Sequence, residues 1–133
     1  MKMKKIFLML VISIVTTLTI AAKDSYQLTS PDGKLSVNIT TTNSVNYAVS
    51  YAGQELLAPS PVSITFNNGK EMTAGKKVKS VKASSHNGII KPLLYKKNEI
   101  QDNYNQLVLT LEKNFSLIFR AYNEGMAYRF VAA

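Results

Sequence analysis

The residues able to do chemistry are few, and their spacing does not gather them. His86 is the single histidine, in a Ser84-Ser85-His86-Asn87-Gly88 run that reads as a loop, where an imidazole is ordinarily solvated. There is no cysteine, so a zinc site lacks ligands of the right kind, and disulfides and a lipid-modified cysteine are both excluded. The eight acids are Asp24, Asp32, Glu55, Glu71, Glu99, Asp102, Glu112 and Glu124. Sugar hydrolysis needs two carboxyl groups flanking one bond, yet nearly all of these fall in predicted turns or at strand ends. Glu99 and Asp102 are three apart, but no helix is predicted that would place them on one face. Calcium loops dense in Asp and Asn are missing, as are glycine loops that cradle phosphate. The sequence therefore assigns no catalytic residue, no cofactor-binding residue and no metal ligand.

The stretch with most to offer is "FRAYNEGMAYRF", residues 119–130. Asn123, Glu124 and Gly125 predict a three-residue hairpin loop, with Gly125 as the left-handed residue of a G1 bulge. That register sets Tyr122 opposite Met126, Ala121 opposite Ala127, Arg120 opposite Tyr128 and Phe119 opposite Arg129. Each arginine then lies across from an aromatic ring, where cation–π attraction and stem packing contribute about 0.5–1 kcal/mol. Such arginines commonly lie over apolar neighbours or pair with a carboxylate. A flat platform of Tyr, Arg and Asn is also what a sugar or a partner domain would contact, so Arg120, Asn123 and Tyr128 are the candidate interface or sugar-proximal residues.

The elements around the hairpin alternate with period two, the strand signature. After the Pro31-Asp32-Gly33-Lys34 turn, Leu35, Val37 and Ile39 alternate with polar residues, and beyond Asn43-Ser44 so do Tyr47, Val49 and Tyr51. Ala52-Gly53-Gln54 reverses the chain. Pro59 and Pro61 each remove a backbone donor, which assigns "ELLAPSPV" to a sheet edge or a crossing loop. Val62, Ile64 and Phe66 predict a further strand, stopped at Asn67-Asn68-Gly69. Residues 78–83 predict a short basic edge strand, and "SSHNGIIKP" a loop turning at Asn87-Gly88. Order returns at Asn105: Leu107, Leu109 and Leu111 face one way, Val108 and Thr110 the other, as in a central strand covered on both sides. Lys113-Asn114 then turns the chain into Phe115, Leu117 and Phe119. About eight short strands point to a β-sandwich or an open sheet.

Ahead of these strands stands a three-part leader. Lys2, Lys4 and Lys5 precede an apolar stretch over residues 6–20, and the small residues Ala21 and Ala22 follow. This is the layout of a cleaved signal peptide, assigned to residues 1–22, and it is short of the roughly 20 apolar residues that span a bilayer. With those three lysines removed, sixteen basic residues become thirteen against eight acids, and the net charge falls from +8 to +5. Lys70, Lys76, Lys77, Lys79, Lys82, Lys91, Lys96 and Lys97 cluster with no arginine among them. Such lysines keep strand edges unpaired, and they do not make a nucleic-acid footprint in an exported chain. The expected location is across the inner membrane, in the periplasm, with no membrane contact once the leader is gone.

Three segments together resemble glycoside hydrolase family 97. "YQLTSPDGKLSVNIT" with "YAVSYAGQELLAPSPVSITF" is similar to the opening of that family's N-terminal domain, and "DNYNQLVLTLE" and "FRAYNEGMAYRF" to its later part. The resemblance covers essentially all of the chain after the leader. Gln106 stands where an acid is common, and residues 76–97 match nothing specific. The resemblance implies an exported α-glycosidase acting on α-linked glucosides or galactosides, in which a galactose-mutarotase-like supersandwich packs on a catalytic (β/α) barrel. Calcium near the active site is usual, and both its glutamate ligand and the catalytic carboxylates are expected beyond residue 133. The expected fold is therefore all-β, an incomplete β-sandwich over residues 23–133 behind a signal-peptide helix. Its expected partners are its own barrel domain, absent here, and, through the full-length protein, an α-linked oligosaccharide. On this reading the chain stops partway through the sandwich, which is why the aromatic hairpin is its last element. The competing expectation is a free-standing secreted β-sandwich that binds a carbohydrate or a protein without catalysis.

Overall fold

The structure, a computed structural model, describes residues 24–75 and 77–132; the expected leader over residues 1–22 lies outside them, as does Lys76 of the basic run. Eight strands form among the described residues: β1 (Ser25–Thr29), β2 (Leu35–Thr40), β3 (Asn46–Tyr51), β4 (Gln54–Pro61), β5 (Val78–Ile90), β6 (Ile100–Leu111), β7 (Phe115–Tyr122) and β8 (Gly125–Ala132). They make two four-stranded antiparallel sheets, ordered β1-β2-β3-β4 and β5-β6-β7-β8. The sheets pack as a sandwich, with β1 and β2 lying over β6 and β7.

Period-two alternation explains how the sandwich closes. Val37 and Ile39 of β2 point inward and are wholly buried, as are Leu109 of β6 and Leu117 and Phe119 of β7. Leu28, Val49, Leu107 and Ala121 complete the contact layer, with Tyr26, Tyr47, Met126 and Phe130 packed against it. Each fully buried Val, Leu, Ile or Phe contributes about 1.5–3 kcal/mol relative to exposure. Phe119 sits at the centre, its ring centroid 6.2 Å from that of Tyr47 and 5.9 Å from that of Tyr128. Several uncovered apolar side chains lie away from this centre, namely Leu56 on β4, Ile64 and Phe66 after it, and the run from Ile89 to Tyr95, while Tyr128 beside Phe119 is itself 43% exposed.

The turns follow their sequences in most places. Gly33 takes φ of 73°, as the Pro-Asp-Gly turn requires. Ala52 and Gly53, both at positive φ (48° and 83°), link Tyr51 to Gln54 as a two-residue hairpin loop. Lys113 and Asn114, at 63° and 61°, carry the chain from β6 into β7. β4, with its two prolines, is an edge strand, paired to β3 through an irregular register.

Four local expectations are overturned. Val62, Ile64 and Phe66 do not form a strand; the chain closes a small loop there, with an isolated bridge from Thr65 to Glu71 and Val62 as a buried plug. The segment 78–90 is not a short strand followed by a loop but one continuous edge strand, in which Asn87 pairs with Asn103 and Gly88 with Asp102. β6 correspondingly begins at Ile100 rather than Asn105. The β7–β8 loop has two residues, since Tyr122 pairs with Gly125, and Gly125 is not in the left-handed region. Phe119 therefore faces Tyr128, and Arg120 faces Ala127. The physical reason is the arginine: the three-residue register would set Arg129 opposite Phe119 on the core face, whereas the observed one sets it opposite Ile118 outside.

Candidate functional site

The face of the second sheet turned away from the core carries the chain's densest group of polar and aromatic side chains. β6–β7 pairing puts Gln106 opposite Arg120, and β5–β6 pairing puts His86 opposite Tyr104. Alternation then brings His86, Tyr104, Gln106, Arg120 and Tyr122 to one surface. The rings of His86, Tyr104 and Tyr122 form a row, with centroids 5.1 and 5.3 Å apart. The Arg120 guanidinium lies 4.1 Å from the centroid of Tyr104, and its Nε donates to Gln106 Oε1 at 2.8 Å. Laid on a ring and tied at Nε, the guanidinium is fixed in orientation, which prepares its remaining donors for a hydroxyl or a carboxylate. A shallow recess of about 120 Å³ opens beside it, lined by Ile118, Tyr122, Ala127 and Arg129 among others.

His86 is held over its own strand. Its Nε2 lies 3.4 Å from Asp102 Oδ2, and a Cβ at position 88 would come within 2.8 Å of the same nitrogen. Gly88 is thus the residue that lets the imidazole lie across the ladder to Asp102. The pair occupies one end of the aromatic row. Among the described residues no group of three or more His, Cys, Asp and Glu could hold a metal ion.

A second polar cluster ties the two sheets together at one end. Ser30, almost wholly buried, donates from its hydroxyl to Asp32 Oδ1 at 2.6 Å, and the same hydroxyl accepts from the Leu35 amide. The Asp32 amide donates to Asn123 Oδ1 at 3.0 Å, joining the β1–β2 turn to the β7–β8 turn. Asn105 bridges as well: its Nδ2 donates to the Thr29 carbonyl at 2.9 Å, and its Oδ1 accepts from the Ser85 hydroxyl at 2.7 Å. The Ser30 hydrogen bond, then the Lys34 backbone N–H, hold the Asp32 carboxyl below its usual 3.8.

Arg120 and Tyr128 both line the shallow recess of about 120 Å³, whereas Asn123 lines another with Gln101, Asn103, Tyr122 and Glu124. Arg120 is on the outer face, Tyr128 turns its ring to the core side with a centroid 5.6 Å from that of Tyr47, and Asn123 sits in the turn with its carbonyl oxygen engaged by Asp32. The ring beneath Arg120 is Tyr104, not Tyr128. Tyr104 and Gln106 belong to the quoted "DNYNQLVLTLE" segment, but their meeting with Arg120 depends on the β6–β7 register, which no single segment reveals.

Fold and site together define a two-sheet antiparallel β-sandwich domain with a cation–aromatic outer face. A family model described as the Glycosyl-hydrolase 97 N-terminal domain matches residues 28–133. A retaining alpha-galactosidase of Bacteroides thetaiotaomicron is 36% identical over 129 residues, which is 97% of this chain and 19% of that protein. Among solved structures, a Glycoside Hydrolase Family 97 enzyme from a Pseudoalteromonas strain, in complex with acarbose, superposes with a TM-score of 0.71 at 20% identity, over 79% of this chain and 17% of that one. A beta-arabinopyranosidase does so with a TM-score of 0.71 at 23% identity, over 80% and 18%. The chain belongs to the glycosyl-hydrolase 97 N-terminal family. It spans about a fifth of the length of the curated relative that it matches (19%).

Proposed function

We propose that this chain is the non-catalytic, N-terminal β-sandwich portion of an exported α-glycosidase that hydrolyses α-linked galactosides or glucosides. It serves as scaffold and as one wall of the sugar cleft, and the whole protein works in the periplasm. The observation that carries this reading is the family match over residues 28–133 together with 36% identity to a retaining alpha-galactosidase. The outer face of the second sheet, with Arg120 fixed on Tyr104, is the surface best suited to lie against the cleft. The hydrolytic carboxylates belong to the barrel domain, beyond residue 133. A calcium ion in the whole enzyme takes its ligands from beyond residue 133, among them a glutamate from the later part of the N-terminal domain.

The experiment is to sequence the gene past codon 133, express its product from the native locus and assay it on α-galactosides and α-glucosides. An open frame of several hundred codons and hydrolysis of one of the two substrates are expected. A stop codon directly after codon 133, with a product that hydrolyses neither, would overturn the reading. It would leave a free-standing secreted β-sandwich that binds carbohydrate or protein, which the closed centre around Phe119 also suits.

A further inference from the structure

Two of the chain's sixteen basic residues are arginines, Arg120 and Arg129, and both line the same recess on the outer face of the second sheet. The β7–β8 register explains the meeting. Arg120 lies opposite Ala127 and Ile118 opposite Arg129, so the two arginines are diagonal neighbours, on the order of 7–8 Å apart. Ala127, small between Tyr122 and the arginines, opens the hollow, whose volume is about 120 Å³. That falls short of the roughly 300 Å³ of a pocket enclosing a whole small ligand, and it suits a single charged substituent. Neither arginine is neutralised. Among the described residues the ion pairs are His86–Asp102 and Lys91–Glu99, and Asp102, the acid of the same outer face, is the partner of His86. Like charges side by side on a sheet are destabilising until an anion joins them.

We infer that this recess binds the carboxylate of an acidic sugar, a hexuronate unit carried by the oligosaccharide. The saccharide part of the inference rests on the proposed function, in which the outer face lies against the sugar cleft; the carboxylate part stands on the arginines. Arg120 is already oriented, its guanidinium 4.1 Å from the Tyr104 centroid and its Nε engaged by Gln106. What remains is its Nη edge, two parallel N–H donors that match the two oxygens of a planar carboxylate. Arg129, exposed on the neighbouring strand, supplies the second cation from the diagonal. Ile118 and Tyr122 are apolar walls for the C–H face of the sugar ring, while the arginines fix its orientation. A neutral hexose leaves both guanidiniums without a counter-charge, which is the basis of discrimination.

The test measures, by calorimetry on the full gene product, the binding of methyl β-D-galacturonide and of neutral methyl β-D-galactoside, β-linked so that an α-glycosidase does not consume them. Tighter binding of the acid is expected. Arg129→Gln is expected to lower that preference about tenfold or more, the scale of a lost charge-assisted hydrogen bond. Arg129→Lys keeps the charge without the fork and is expected to recover only part of it. Ala127→Leu, at an exposed position, fills the hollow without altering charge and is expected to abolish the preference. No preference in the parent, a preference that survives both Arg129→Gln and Ala127→Leu, or inorganic sulfate competing as well as the uronate would each overturn the inference. Any of these results from a product that still hydrolyses neutral α-galactosides or α-glucosides leaves the proposed function standing. A product that hydrolyses neither, yet prefers the uronate through Arg129, removes the proposed function and keeps the recess.

Discussion

β6 passes through two environments within a few residues. At Asn105 it is flanked by β5 and β7 and covered by β1, and every hydrogen-bonding group of its amide has a use, to Thr29 and from Ser85. At Ile100 only β5 remains, and the chain runs out to a tip where two leucines face water. In the first region polar side chains lock one sheet to the other and the apolar ones are hidden. In the second, the apolar side chains are displayed and the polar ones are lysines that keep them soluble. Burial alone does not separate structural from interacting surface; what separates them is whether a residue's partners lie inside this sandwich.

The largest expected effect breaks that contrast at its extremes. Phe119→Ala removes a wholly buried ring with Tyr47 and Tyr128 on it, and is expected to cost about 3–5 kcal/mol in urea unfolding. Leu94→Ala, at an almost fully exposed position, is expected to stay within about 0.5 kcal/mol of the parent. Equal losses at the two positions would show that the ribbon tip is folded into the core in solution and would cancel the comparison.

The same contrast decides what could be read from the sequence. β2, β3 and β7 were legible because one face of each is packed, so Val37, Ile39, Val49, Leu117 and Phe119 impose the period-two pattern. β5 was not, because an edge ribbon bared on both faces has no pattern to impose. Its Ser84-Ser85-His86-Asn87-Gly88 run carries turn residues, yet the ladder to β6 and the fit of His86 over Gly88 hold it extended. Turn chemistry likewise predicted a bulge at Gly125, and the cost of placing Arg129 on the core face overrode it. The site was legible only in part. Arg120 was singled out, but its supports Tyr104 and Gln106 lie on a strand whose register with β7 is a tertiary fact.

A middle-sized effect sharpens the comparison at the clasp. Asn105→Ala deletes the hydrogen bond across to Thr29 of the first sheet and the one from Ser85 within its own sheet, and is expected to destabilise by about 1–2 kcal/mol. Asn123→Ala deletes one, with an expected loss of about 0.5–1 kcal/mol. Lys97→Ala, exposed at the tip beyond β5, is the control; a loss there as large as at Asn105 would mean that the asparagine holds nothing together.

The smallest effect is a pH dependence confined to the clasp. Asp32 has its carboxyl held below 3.8 by the Ser30 hydroxyl first and the Lys34 amide next. A folded-state pKa below the unfolded one means that the contribution is fully present above 3.8 and disappears as the pH falls through the lowered value, so the window lies on the acid side of 3.8. Acidification from about pH 5 to pH 2 lowers the melting temperature through every carboxylate whose pKa is depressed on folding, and Asp32→Asn removes this one from the set while keeping an oxygen that can accept from Ser30 and Lys34. The variant should therefore melt lower than the parent at neutral pH and converge on it in acid. Parallel curves across the whole range would show that the turn does not depend on the charge of Asp32, and would leave the clasp resting on Asn105, Asn123 and Ser30 alone.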